Sequence, residues 1–353
     1  MKTTSFKYML LLLLLPALAS AVELKGKYKK EKNIRKSYQV NSNAALDINN
    51  KYGTVYVATW DQNITEIDIT IKVAGDDEKQ VTQRINSIDV SFSATKALVT
   101  AVTKIGNLTC NSNISMEINY TIKIPKKGSI NLDNEYGGIQ AGKIYGKADI
   151  NCQYGDVGID ELHNDVNLLK IQYCGNSKIN FAKAATINAK YSGLRVGKSN
   201  NVEFKGEYSN LSGEDINTIQ YTSDYGEIKI KSAGVVTGKG DYNTIRFGRI
   251  YNTLNLTTNY GDIKIELIDK TTRNIAINAN YTGISLGFDD SYPFDFELTT
   301  EYSDITGTEG FKFTTKKDKE YGSGGYYKGY HKNSGSNKLF IKSKYGHIQL
   351  VKK

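Results

Sequence analysis

Apolar and polar residues alternate with period two along most of this chain, and the alternation restarts at regular intervals. Each restart is anchored by the phrase Tyr-Gly-x-Ile or a near copy, at Tyr52, Tyr136, Tyr154, Tyr173, Tyr191, Tyr208, Tyr225, Tyr242, Tyr260, Tyr281, Tyr302 and Tyr345. Aligned on the tyrosine, the sixth residue before it is apolar (Leu46, Ile130, Val202, Ile219, Leu254), and so is the fourth (Ile48, Leu132, Ile150, Phe204, Leu256). Two before it the residues turn small or modest, as in Cys152, Ala189, Gly206, Ser223 and Thr258, and polar residues such as Asp133, Gln153 and Lys205 stand between. Such alternation predicts a strand with one buried face. A second short strand follows, with an apolar residue three after the tyrosine (Val55, Ile139, Val157, Leu194, Ile228, Ile263) in every copy except that of Tyr173. A third apolar point comes about eight after it, as in Ile144, Leu162, Ile216 and Ile250.

Between Tyr136 and Tyr302 the anchors are 17 to 21 residues apart, a period that marks a solenoid. Two strands and a corner per repeat predict an all-β fold, a right-handed parallel β-helix of about ten coils, because parallel crossovers are right-handed. At ~4.8 Å per coil it would be roughly 50 Å long. The tyrosine continues the inward parity, and the small residue two before it leaves room for the ring. The rings are therefore expected to stack one per coil as a ladder with hydroxyls at the rim. The Gly or Ser that usually follows suits a tight corner.

Two segments depart from the repeat. Between Tyr52 and Tyr136 the period lapses: Ile67, Ile69, Ile71 and Val73 alternate as one long strand, and Val81, Ile85 and Ile88 recur at helical spacing behind Asp76, Asp77 and Glu78. Residues 22–125 are read as a mostly β N-terminal cap with one helix, and residues 126–353 as the β-helix. Within the latter, residues 310–338 form a Gly/Tyr-rich insertion. There Phe311 and Phe313 alternate like a strand, followed by a basic, aromatic loop with Tyr321, Tyr326, Tyr327, Tyr330 and His331. Aromatic rings beside polar donors suit a sugar surface, which makes these five the candidate binding residues. The other reading is a glycine-rich hairpin that covers the open end of the helix.

The first residues read as a secretory signal peptide over 1–21: Lys2 and Lys7 precede an apolar run at 9–15, then Pro16 and Ala19-Ser20-Ala21. The run is too short to span a bilayer as a helix. Export to the periplasm, or to the cell surface or outer membrane, follows as the expected location. Removing Lys2 and Lys7 lowers the formal net charge from +9 to +7, which favours acidic partners in a general way. Part of the excess crowds Lys25, Lys27, Lys29, Lys30, Lys32, Arg35 and Lys36, read either as a frayed, solvated terminus or as a contact for anionic polymer or headgroups. Of three cysteines, Cys152 lies two before its tyrosine and Cys174 one after. That offset of three positions predicts a separation beyond disulfide reach, and with Cys110 the count is odd, so at least one cysteine is unpaired or pairs elsewhere.

The outward columns carry the candidate chemistry. Glu207, Asp224 and Asp241 precede the tyrosine in successive copies, and Lys229, Arg246 and Lys264 follow it by four. Stacked carboxylates could share a cation, as in a polysaccharide lyase, but Lys205 and Lys239 sit beside them and the two columns flank a corner, so a solvated charge ladder is the plainer reading. His163, His331 and His347 show no metal-ligand or triad spacing. No catalytic residue, metal or cofactor is assigned.

The register, with the phrases Leu46 to Gly53 (LDINNKYG), Ile122 to Pro125 (IKIP) and Asn131 to Gly137 (NLDNEYG), resembles the adhesin families of exported bacterial proteins, including the auto-transporter adhesin head (GIN) domains common in Bacteroidetes. The resemblance covers nearly all of residues 30–353. It implies a β-helical fold, an envelope location and an adhesive role, and it carries over no catalytic residues. The expected function is that of a non-enzymatic, adhesin-like or scaffold protein, not membrane-spanning and not bound to nucleic acid. It would bind surface glycan or an envelope protein through an extended face or the Tyr-rich loop. The alternative is a polysaccharide lyase or hydrolase on the same scaffold.

Overall fold

A computed structural model describes residues 24–107, 113–319, 322–335 and 337–353. The expected signal peptide, Cys110 and Tyr321 lie outside the described residues. Nearly every element is a strand, and among the described residues one helix is present.

Upstream of the tyrosines, parallel strands stack in register. Leu46 pairs with Ile130, Ile130 with Ala148, Asp149 with Leu168, and Leu168 with Thr186. Downstream, Val55 pairs with Ile139 and Ile139 with Val157. From Ser177 onward the two segments fuse into strands of 14 or 15 residues, Ser177–Lys190, Gly193–Glu207, Asn210–Asp224 and Glu227–Asp241, each running from one tyrosine corner to the next. The predicted apolar columns form the interior: Ile48, Leu132, Ile150, Ile187, Phe204 and Leu256 are buried, as are Ile139, Leu162, Ile216 and Ile250. Each such side chain contributes about 1.5–3 kcal/mol by leaving water, so the stack is held by the same two columns repeated.

The tyrosine departs from the expected parity. All twelve anchors have φ between +49° and +62°, the left-handed region that costs a residue with a Cβ roughly 1–2 kcal/mol. An extended residue there would have continued the alternation inward. The left-handed turn instead swings the ring to the surface and turns the next residue in. Thus eleven of the rings are 42–51% exposed, while Cys174, Ser192, Ser209, Asn243, Thr282 and Ser303, each one after a tyrosine, are buried. Several of these seal the corner of the neighbouring repeat: Ser192 Oγ accepts from the Cys174 N–H at 3.1 Å, Ser209 Oγ from the Ser192 N–H at 3.0 Å, and Asn243 Oδ1 from the Gly226 N–H at 3.1 Å. Where glycine stands, the backbones come closer: a Cβ on Gly137 would lie 1.9 Å from the Gly53 carbonyl oxygen.

The same turn corrects the expected separation of Cys152 and Cys174. Cys152 pairs with Ile171, and the left-handed Tyr173 then folds Cys174 back into the interior. Its Sγ lies 3.3 Å from the Cys152 carbonyl oxygen, and both thiols are free and buried.

At the N-terminal end the strands are β1 (Tyr28–Gln39), β2 (Ala45–Lys51), β3 (Val55–Trp60), β4 (Ile64–Gly75), β5 (Ile88–Ala94), β6 (Leu98–Ile105) and β7 (Ile114–Pro125). Strands β2 and β3 flank Tyr52 and belong to the stack. Below them the order turns antiparallel: β7 lies parallel to β3, β4 antiparallel to β7, β1 antiparallel to β4, and β6 lies parallel to β2 with β5 antiparallel to it. The basic segment is therefore not frayed. From Lys29 to Lys36 it lies in β1, paired over twelve residues at the edge of the sheet, where lysines hinder pairing with another chain. Helix α1 (Glu78–Asn86) packs on β4 and β1 through Val81 and Ile85, and the Asp77 side chain caps it by accepting from the Gln80 N–H.

At the other end the insertion is an antiparallel hairpin, Phe311–Asp318 against Gly324–His331, whose second strand pairs antiparallel with Phe294–Glu301. The strand Lys338–Lys344 then lies between Asn274–Phe288 and Phe294–Glu301, parallel to both. The final repeat in sequence is thus the penultimate rung in space.

Candidate binding surface

The exposed tyrosines form one continuous column. Ring centroids run from Tyr52 through Tyr136, Tyr154, Tyr173, Tyr191, Tyr208, Tyr225, Tyr242, Tyr260 and Tyr281 to Tyr345 and Tyr302. Spacings are 4.7–5.2 Å and planes lie within 3–12° of parallel. Stacking consumes the ring faces, so the surface presents ring edges and phenol hydroxyls repeated along the stack. The charge of Glu135 pushes the Tyr136 phenol above its ordinary pKa, and burial against its neighbours raises that of Tyr225. Both hydroxyls are therefore neutral hydrogen-bond donors and acceptors at physiological pH.

Beside the rings runs the polar column that precedes each tyrosine. Its charges are mostly answered within the column or by the next repeat. Lys51 pairs with Glu135 at 2.6 Å, Lys190 with Glu207 at 3.0 Å, and Glu301 with Lys344 at 2.8 Å. Asp224 Oδ1 accepts from the Asp241 N–H at 2.9 Å, Asp241 Oδ1 from Asn259 Nδ2 at 2.8 Å, and Asn259 Oδ1 from Asn280 Nδ2 at 2.7 Å. The trio Glu207, Asp224 and Asp241 is thus a run of satisfied acceptors. Across the corner, Arg246 pairs with Asp262 at 2.6 Å and Lys264 with Glu266 at 2.7 Å. Among the described residues, no group of three or more His, Cys, Asp or Glu side chains could hold a metal ion.

Two grooves adjoin the ladder. One, of about 530 Å³, lies on the outer face upstream of the rings and is lined by Asn151, Lys170, Gln172, Asn188, Lys190 and Glu207. The other, of about 580 Å³, borders Tyr52 at the N-terminal end, with Lys51, Arg84, Thr103 and Met116.

Of the candidate residues of the insertion, Tyr326, Tyr327, Tyr330 and His331 lie on the strand Gly324–His331 and not in a loop. His331 is buried among Phe288, Phe294 and Phe311, and its Nδ1 lies 2.9 Å from the Tyr292 carbonyl oxygen, which fits a ring N–H donating there. Tyr327 donates its hydroxyl to Asp318 at 2.8 Å, Lys312 sits over the Tyr330 ring, and Tyr326, Tyr327 and Tyr330 are half-buried. The hairpin brings Lys319 over the ring of Tyr302 at the end of the ladder. The ladder is legible in the spacing of the tyrosines; its outward direction is set by backbone φ, which residue spacing does not carry.

No protein-family model matches the chain, and no curated protein does. Among solved structures, the chain is similar to a candidate cell adhesion protein of Clostridium sporogenes (13% identity, 92% of this chain and 100% of that one, TM-score 0.17). It is also similar to candidate adhesins of Parabacteroides distasonis (8%, 91% and 97%, TM-score 0.37) and Bacteroides fragilis (12%, 91% and 97%, TM-score 0.25). At these scores the functional reading rests on the geometry alone. Among the described residues, no helix is long and apolar enough to cross a membrane.

Proposed function

We propose that the chain is an exported, non-enzymatic, adhesin-like or scaffold protein of the bacterial envelope, wound as a right-handed parallel β-helix of about ten coils. It binds glycan or protein along the tyrosine face. The observation that carries this reading is the unbroken column of twelve stacked rings, eleven of them nearly half exposed, beside a polar column of the same period. Many weak contacts at one spacing sum along such a face. Edges and hydroxyls offer hydrogen bonds and apolar edge contact but little ring-face stacking, which favours an extended polymer or strand-like partner over a single sugar ring. Tyr326, Tyr327 and Tyr330, with Tyr321, form a second contact at the C-terminal end; the buried His331 has no part in it.

The test compares the mature protein with a variant carrying Tyr173→Ser, Tyr191→Ser and Tyr225→Ser, and with one carrying Tyr326→Ser and Tyr330→Ser, on immobilised envelope polysaccharides and whole cells. Loss of binding with the first triple variant, at unchanged circular dichroism, supports the face. Loss with the second variant alone moves the site to the hairpin. New reducing ends or unsaturated products from uronate polysaccharides, abolished by Asp224→Ala or Arg246→Ala, would replace the proposal with the lyase or hydrolase reading.

A further inference from the structure

The buried thiols sit at a corner that departs from the repeat. At the other tyrosine corners strands resume within three residues, whereas four residues, Tyr173 to Asn176, separate Leu168–Gln172 from Ser177–Lys190. The extra residue shows in the register: Ser177, four after its tyrosine, pairs with Leu194, three after Tyr191. This is the copy that lacks an apolar residue at the third position. Its corner is held by side chains instead, with the Asn176 N–H donating to Asp156 Oδ1 at 2.8 Å and Ser177 Oγ accepting from the Val157 N–H at 3.1 Å. Into this corner project Cys174 and, from the preceding repeat, Cys152, with Cys174 Sγ 3.3 Å from the Cys152 carbonyl oxygen and both residues closed off from solvent.

The packing does not require thiols at either place. Ala189, Ser223 and Ala279 fill the column of Cys152 in other repeats, and Ser192, Ser209 and Ser303 fill that of Cys174. We propose that Cys152 and Cys174 are a modification site, joined by a disulfide when the chain folds in the presence of a disulfide donor, and that the bond ties two successive repeats at the irregular corner. The Cys174 thiolate attacks one donor sulfur, forming a mixed disulfide and releasing one donor thiolate. Cys152 then gives up its proton and attacks Cys174 Sγ, which expels the second donor thiolate. Two protein thiols are oxidised to one disulfide, one donor disulfide is reduced to two thiols, and the two protons end on the donor. In the finished fold both sulfurs are shut in, so exchange takes place before the corner closes or during its local opening.

The experiment counts thiols. The full chain is refolded with reduced and oxidised glutathione, quenched with acid, denatured and alkylated with a mass tag. The expected result is one tag, on Cys110, rising to three after reduction with dithiothreitol, and a non-reduced digest in which the peptides of Cys152 and Cys174 are linked. Reduction should lower the urea midpoint of the wild type and leave that of the Cys152→Ala, Cys174→Ser double variant unchanged. Three tags in the oxidised sample, or a link from Cys110 to either partner, overturns the proposal.

Discussion

Replacing Tyr208 by alanine and, separately, by glycine tests the backbone conformation on which the exposed ladder depends. Tyr208 has φ +50°, stacks on Tyr191 at 5.0 Å and on Tyr225 at 4.8 Å, and is 47% exposed. Either substitution removes two stacked contacts, worth about 1–3 kcal/mol together. They differ in what the backbone then costs. Alanine keeps the left-handed penalty of roughly 1–2 kcal/mol, and glycine removes it while losing about 0.4–1 kcal/mol to its freer unfolded chain. Glycine should therefore be the more stable variant by about 1 kcal/mol. In an extended strand the order reverses, since glycine there costs about 0.5–1 kcal/mol relative to alanine. Urea denaturation followed by circular dichroism measures both variants, with equal slopes required for the comparison. An alanine variant as stable as the glycine one, or more so, refutes the left-handed corner and with it the outward ladder.

Gly137→Ala should cost about 1–3 kcal/mol or more by overpacking, because its Cβ would meet the Gly53 carbonyl oxygen at 1.9 Å; an unchanged urea midpoint would contradict the close approach. Asp77→Ala removes the cap of α1 and should destabilise the N-terminal end by about 0.5–2 kcal/mol, seen as faster amide exchange in residues 78–86. Burial pushes Asp269 up, but donors from the Thr271 hydroxyl and N–H and from Arg249 outweigh it, so its pKa lies below the usual carboxylate value. A depressed pKa gives stability that is full above the unfolded value of about 3.9 and is lost as pH falls through the folded one. Urea midpoints taken from neutral pH downward should thus fall less steeply at the acid end for Asp269→Asn than for wild type, and parallel curves would contradict the assignment.

Much of this architecture is legible in the chain. Period-two alternation marks the buried columns residue by residue, from Leu46 and Ile48 to Leu339 and Ile341, because a polar side chain on that face costs free energy unless it finds a hydrogen bond away from water. Asp77, Val81 and Ile85 mark the helix and its start. The candidate binding residues were less legible. Tyr326, Tyr327 and Tyr330 looked like a loop because glycines surround them, yet glycines also let a hairpin approach its neighbour closely: a Cβ on Gly329 would fall 2.0 Å from the Lys312 carbonyl oxygen. Parity arithmetic likewise turned the anchor tyrosine inward, since it counts residues and carries no information on φ. The glycine after the tyrosine suggested that it takes the turn; the tyrosine takes it, and the glycine gives room for the next backbone.

The repeat, the two strand segments around each tyrosine, the apolar columns and the one-ring-per-repeat ladder all follow from local spacing along the chain. Which way the rings face, that Cys152 meets Cys174, and that Tyr345 stacks between Tyr281 and Tyr302 follow from the folded chain. The last two depend on contacts between segments far apart in the chain. The hairpin at 311–331 occupies the outer edge of Phe294–Glu301, so the remaining strand finds its open hydrogen bonds on the inner side and fills the slot there. A periodic pattern fixes what each rung contains, and the competition for strand edges fixes the order in which the rungs are laid.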